Sequence, residues 1–259
     1  MNLPPSPDSL KAPSRRIVAV IPARLASSRL PGKVLLPIAG VPMLGWVYRA
    51  ALACRQLDQV LIATDSKEVA DYANSEHWPV IMTSANLASG TDRVHAASAL
   101  ADADIYVNLQ GDEPLLRPEH IDALLLPFER SGAEVTTLST PCPPDQIHNP
   151  NAVKVVAARD GRALYFSRST IPYHRDGGSS CQKHLGLYAY RKDALDRFAA
   201  LRPSPLELTE RLEQLRLLEN GISIYVEQTA FDTIGVDTEE DRTAAERILR
   251  ARAGGVLSS

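Results

Sequence analysis

Ile17-Val-Ala-Val-Ile-Pro-Ala-Arg-Leu-Ala-Ser-Ser-Arg-Leu-Pro-Gly-Lys33 begins with a short apolar run and ends as a cationic loop. An unbroken run such as Ile17 to Ile21, without polar alternation, suits a strand covered on both faces, the situation of a parallel sheet under helices. Ligands of open parallel sheets bind beyond the carboxyl ends of the strands, so Arg24, Arg29 and Lys33 stand where a ligand would lie. No acidic residue occurs between Asp8 and Asp58, whereas Lys11, Arg15, Arg16, Arg24, Arg29, Lys33, Arg49 and Arg55 do. Such a run is either a solvated basic face or an anion site.

The pattern around this stretch repeats it. Val60 to Thr64, Val80 to Thr83 and Ile105 to Leu109 read as further buried strands. The amphipathic segments Met43 to Cys54, Ser66 to Glu76, Thr91 to Leu100 and Pro118 to Arg130 are long enough to be crossover helices. The expected class is α/β, a Rossmann-like, mostly parallel sheet flanked by helices. After Glu134 the texture becomes strand-like, at Val135 to Ser139, Ala152 to Ala158, Ala163 to Ser167 and Leu185 to Arg191, with Asp160-Gly161 as a hairpin turn. A helix over Pro205 to Asn220, a strand over Ile222 to Glu227 and a last helix over Thr238 to Arg252 complete the reading. Residues 134–220 are thus expected to form a smaller mixed lobe within one domain over 16–259. The stretch 1–15, with Pro4, Pro5, Pro7 and Pro13, reads as a flexible tail.

Composition narrows the function classes. The 259 residues are 44% hydrophobic and 23% charged with a net charge of −3, which disfavours nonspecific nucleic-acid binding. No run approaches the roughly 20 apolar residues of a membrane span, and the reading is a cytoplasmic globular protein. Cys54, Cys142 and Cys181 lack paired metal or disulfide spacing. The loop before Gly32-Lys33 is not a P-loop, because Ser27 and Val34 stand where Gly and Ser or Thr are required; no G-x-G-x-x-G or G-x-S-x-G occurs either. Three fixed cations suit a triphosphate, and can offset charge building on a leaving pyrophosphate.

Eight segments in order resemble the cytidylyltransferases that activate acidic sugars. They are IPARLASSRLPGK (21–33), SGTDR (89–93), LQGDEP (109–114), NPNAVKVV (149–156), ALYFSRSTIP (163–172), HLGLYAYR (184–191), LEQLRLLENG (212–221) and GVDTEED (235–241). The resemblance covers nearly all of the chain beyond the tail. It implies attack of the anomeric hydroxyl of 3-deoxy-manno-octulosonate (Kdo) on the α-phosphorus of CTP, giving CMP-Kdo and pyrophosphate. It also implies Mg²⁺, a nucleotidyltransferase domain, a homodimer joined through the 134–220 lobe, and a place in lipopolysaccharide synthesis.

Residue by residue, the resemblance makes Asp112 and Asp237 metal ligands, and Arg24 and Lys33 catalytic together with them. On residue type alone Asp237 reads sooner as the N-terminal cap or first-turn acid of the helix beginning at Thr238, and Asp112 can be a turn residue. The matched nucleotide positions are Pro22, Ala23, Arg24, Arg29, Lys33, Ser89, Gly90, Thr91, Arg93 and Gln110; Ser89-Gly90-Thr91 also reads as a helix start. Asp92 stands where the family often has Glu. The matched sugar positions are Arg168, His184, Tyr188, Glu213 and Gln214. Leu208, Leu212, Leu215 and Leu218 form an apolar stripe that leaves Glu213 and Gln214 free to face a cleft or water. His184 by type alone is a core or surface histidine, and Tyr188 and Tyr190 share one strand face. With no evident general base in the motifs, metal activation and alignment are expected to carry the rate. Activation of a related acidic sugar, 8-amino Kdo or a sialic acid, and a catalytically silent CTP-binding protein remain the alternatives.

Overall fold

The computed structural model describes residues 15–25, 29–176 and 180–255, so the proline-rich stretch read as a tail lies outside the described residues except for Arg15. The chain order is β1 (Ile17–Ala23), β2 (Pro37–Ile38), β3 (Val41–Pro42), α1 (Met43–Leu52), β4 (Gln59–Thr64), α2 (Lys67–Ser75), β5 (Val80–Met82), α3 (Gly90–Ser98), β6 (Ile105–Asn108), α4 (Pro118–Arg130) and β7 (Val135–Pro141). It continues with β8 (Lys154–Ala157), β9 (Ala163–Ser167), β10 (Gln182–Arg191), α5 (Lys192–Ala200), α6 (Pro205–Glu210), α7 (Leu215–Glu219), β11 (Ile224–Gln228) and α8 (Glu239–Gly255). Among the described residues the main sheet runs β11-β7-β10-β6-β1-β4-β5, with β8 and β9 attached beside β10. The pairs β1–β4, β1–β6, β4–β5 and β7–β11 are parallel, and β10 runs antiparallel between β6 and β7. The α/β expectation holds. The strands expected in the smaller lobe continue the same sheet.

Period-two alternation explains why β1 carries no polar residue. Ala19, Ile21 and Ala23 pack toward Leu44, Val47 and Phe128 on one face, while Val18 and Val20 pack with Val94, Ala97 and Phe198 on the other. The parallel strands β1 and β6 end on one edge, and the loops carrying Arg24 and Asp112 leave from there. A Cβ on Gly111 would lie 2.9 Å from the Pro22 carbonyl oxygen, so only glycine lets the exit of β6 pass the end of β1.

The single helix expected over Pro205 to Asn220 is two. Arg211 sits in the left-handed region at φ 55°, and Leu208 of the expected stripe is exposed while Leu212, Leu215 and Leu217 are buried. A guanidinium supplies the reason. Arg168 Nε donates to Glu210 O at 2.7 Å and Nη2 to Arg211 O at 3.2 Å, and Glu210 Oε1 and Oε2 accept from Ser167 Oγ and the Arg168 amide. These bonds replace the helical partners the two carbonyls would otherwise need, and offset the roughly 1–3 kcal/mol of a left-handed non-glycine residue.

Two further polar groups hold irregular backbone. Fully buried Lys154 donates from Nζ to the carbonyls of Asn149, Ala152 and Arg168 at 2.9, 2.7 and 2.9 Å. Burial pulls its pKa down, yet three acceptors match the three N–H donors of an ammonium, which a neutral amine could not supply. In β10 the register against β7 slips between Leu185 and Tyr188. At that bulge, Thr137 Oγ1 of β7 lies 3.2 Å from Leu185 O, 2.8 Å from Leu187 O and 2.9 Å from His184 Nε2. Burial drives the His184 pKa from 6.5 down to about 3.

Replacing Lys154 by Met leaves three carbonyls without their donor, and chemical denaturation is expected to show a loss of about 3 kcal/mol; a change below about 1 kcal/mol would remove the cage from the account. His184 stays neutral in the fold below the pH at which the unfolded chain takes up a proton, so its stabilising effect is present above pH 6.5 and is lost as pH falls toward 3. Stability of the native chain is expected to fall by up to about 1.4 kcal/mol per pH unit more steeply over that window than stability of His184→Gln, and parallel curves would contradict this.

Candidate active site

Three charged residues from distant parts of the chain meet where β1 and β6 end. Lys33 Nζ lies 2.5 Å from Asp112 Oδ2 and 2.7 Å from Asp237 Oδ1, and Arg29 Nη2 lies 2.7 Å from Asp237 Oδ2. Burial alone would lower the Lys33 pKa, but attraction to and hydrogen bonds with Asp112 and Asp237 outweigh it and leave it raised. Local sequence builds each approach. Gly32, at φ 67°, donates its amide to Leu25 O and turns the loop so that Lys33 begins a 3-10 turn. The Val236 amide donates to Asp112 O at 2.9 Å, which ties the returning C-terminal segment to the turn after β6. Leu115 and Val236 pack beneath this tie with Ile38, Met43, Ala245 and Leu249.

The competition between capping and ligand roles at Asp237 is resolved by its neighbours. Thr238 Oγ1 accepts from the Asp241 amide, and Asp241 Oδ2 accepts from the Asp237 and Thr238 amides. That reciprocal cap serves α8 and leaves both oxygens of Asp237 to the cations.

The nucleotide positions expected from sequence gather around the end of β1. Pro22 and Gln110 flank Gly90, where a Cβ would lie 3.4 Å from Gln110 Oε1 and 3.6 Å from Pro22 Cγ. Ser89 and Asp92 form a reciprocal cap on α3, so the helix-start reading of 89–91 holds, and the shorter acid at 92 reaches the Ser89 amide. Arg93 is fully buried, bonded to Thr83 Oγ1 and 3.3 Å from Asp65 Oδ2. Arg24 turns from the carboxylates and donates to Leu87 O, so it does not share the Lys33 cluster.

Beside the cluster opens a polar cleft of about 950 Å³ whose walls include Arg29, Gln110, Asp237, Arg168, His184, Tyr188 and Gln214. Glu213 departs from the expected sugar set. It is not among the lining residues, and its Oε2 accepts from Thr91 Oγ1 at 2.6 Å, which places it beneath the start of α3. Glu213 and Gln214 fall in the turn between α6 and α7, where a helical pattern does not say which way either faces. Arg168 lines the cleft while giving three donors to the carbonyls of Glu210, Pro150 and Arg211; two of its five remain. Tyr188 and Tyr190 share a face as expected, their rings stacked at 5.8 Å.

Sequence reasoning missed further lining residues, Glu113, Lys183 and Asn149 among them. Burial, then the Asp112 charge, push the Glu113 carboxyl up to about 7; Lys183 pairs with Asp232 at 3.0 Å; and Asn149 belongs to the loop held by Lys154. The adjacency of Glu113 to Asp112 was a signal available in the sequence.

Among the described residues no group of three or more His, Cys, Asp and Glu side chains gathers as a metal cage. Magnesium does not require one, since one or two carboxylates suffice when phosphates and water complete the octahedron. Two carboxylate oxygens within reach of one ammonium fit that need.

The sequence pattern described as Cytidylyltransferase matches residues 18–224. The 3-deoxy-manno-octulosonate cytidylyltransferase of Acidobacterium capsulatum is 63% identical over 241 residues, covering 92% of this chain and 98% of that protein. Its counterpart from Koribacter versatilis is 53% identical over 253 residues, covering 97% of each. A solved structure of CMP:2-keto-3-deoxy-manno-octonic acid synthetase complexed with CTP superposes with a TM-score of 0.88 at 41% identity, over 92% of this chain and 99% of that one. With the matched pattern spanning most of its length and such relatives covering nearly all of it, this chain belongs to the cytidylyltransferase family.

Proposed function

We propose that the chain transfers a cytidylyl group from CTP to the anomeric hydroxyl of Kdo, releasing pyrophosphate. The observation that carries this reading is the convergence of Lys33, Asp112 and Asp237 at the rim of the polar cleft. The names of the relatives supply the nucleotide and the sugar. Asp112 and Asp237 would hold Mg²⁺, which when bound would screen the phosphates and lower the pKa of the attacking hydroxyl. Lys33 and Arg29, at the same crevice, meet the negative charge that develops on the departing pyrophosphate; Arg24 approaches the phosphates from the Leu87 side. Pro22, Ala23, Ser89, Gly90, Thr91, Arg93 and Gln110 form the nucleotide side. Arg168, with two N–H groups to spare, and Lys183 supply positive charge for the sugar carboxylate, while His184, Tyr188 and Gln214 meet its hydroxyls. Glu213 acts from beneath, through Thr91.

Among the described residues no helix is long and apolar enough to cross a membrane. A homodimer through the 134–220 segment is supported by the exposed leucines 164, 206 and 208 in that segment.

Pyrophosphate release is expected to require CTP, Mg²⁺ and Kdo together, with UTP, ATP, GTP and sialic acid as controls. Asp112→Asn is expected to lower kcat by about 10²–10³-fold with an unchanged melting curve. Near-normal turnover in that variant defeats the metal role, and nucleotide binding without turnover in the native chain selects a silent binding protein. Light scattering is expected to give twice the mass of one chain, reduced by Leu164→Glu with Leu208→Glu; a monomeric mass for the native chain would overturn the dimer.

A further inference from the structure

We propose that the Thr137 hydroxyl fixes His184 in the Nε2–H tautomer, and so determines which hydrogen-bonding groups the cleft presents to a sugar. The consequence for the sugar rests on the reading of the cleft as the Kdo site; the tautomer does not.

Thr137 is fully buried, and its hydroxyl owns a single proton. Besides the Tyr188 hydroxyl, which also hydrogen-bonds to Thr137, three polar atoms surround Oγ1, namely Leu187 O at 2.8 Å, Leu185 O at 3.2 Å and His184 Nε2 at 2.9 Å. Two of the three are carbonyl oxygens, which only accept. Oxygens held this close without a proton between them repel, so the hydroxyl proton points to Leu187 O, with Leu185 O as its weaker second acceptor. The side of Oγ1 toward the ring then carries lone pairs, and His184 Nε2 must be the donor.

A second consequence concerns Tyr188. Its hydroxyl oxygen lies 3.0 Å from the same Nε2. A protonated Nε2 cannot accept from the phenol, so the phenol proton is released from the histidine. His184 and Tyr188 both line the cleft, whereas Thr137 does not. The cleft is therefore offered an acceptor, the bare Nδ1 of His184, while the Tyr188 proton is left to Thr137 Oγ1 or to a ligand. The opposite tautomer would offer a donor at Nδ1 and would turn the Tyr188 proton back to Nε2. A neutral ring is required for this device, and burial keeps it so. Thr137 is a positioning residue that acts at the β10 bulge, where the register against β7 shifts between Leu185 and Tyr188.

The test labels histidine with ¹⁵N in the full-length, substrate-free protein and assigns the His184 ring by its loss in His184→Gln. The native chain and Thr137→Ser are expected to show a protonated Nε2 and an unprotonated Nδ1, and Thr137→Val a shift toward protonated Nδ1. In pyrophosphate-release assays Thr137→Val is expected to raise KM for Kdo about tenfold with kcat changed less than about twofold, and Thr137→Ser to restore KM. A native spectrum with protonated Nδ1 overturns the proposal, as does a valine variant with native tautomer and KM. Should the valine variant fail to fold, the native and serine spectra decide alone. Absence of Kdo-dependent turnover would defeat the functional reading while leaving the tautomer result standing.

Discussion

One ammonium holds together two carboxylates that would otherwise repel. Lys33 is 79 residues from Asp112 and 204 from Asp237 in sequence, yet bonds both. At an effective dielectric near 20, unit charges about 4 Å apart interact by roughly 4 kcal/mol, so two bare carboxylates at this spacing would oppose closure of the C-terminal return. The lysine removes that opposition, and the Val236 amide and the apolar contacts of Leu115 with Val236 and Leu249 complete the joint. Fold closure and the proposed reaction chemistry therefore draw on the same side chain.

The cleft beside this joint is framed by backbone that leaves regular structure. Buried carbonyls outside a ladder need donors, and here side chains provide them: Lys154 for the 149–152 loop, Arg168 for the break at Arg211, Thr137 for the bulge in β10. Each donor is central to its own irregular segment, and together they let a mostly parallel sheet carry a wall that a regular strand could not form.

Much of this was legible beforehand. The apolar run at Ile17, the acid-free cationic loop and the strand-helix alternation specify the sheet because burial on both faces leaves a plain compositional mark. The meeting of Lys33, Asp112 and Asp237 followed from the family motifs. What escaped is what periodicity cannot encode. Arg211 interrupts a helix without glycine or proline, because the cause lies in Arg168, 43 residues away. The leucine spacing runs unbroken through that interruption and left Glu213 free to face cleft or water, when it lies beneath α3. Thr137 and Lys154 act on carbonyls, which carry no residue-type signature at all.

The reciprocal cap of Thr238 and Asp241 on α8 has an evolutionary reach. Because helix initiation is delegated to these two, the neighbouring aspartate is released from any structural duty at the helix end. Substitutions at position 237 and substitutions that tune initiation of the last helix can accumulate separately, so a lineage could alter the proposed cation site without unravelling the start of α8.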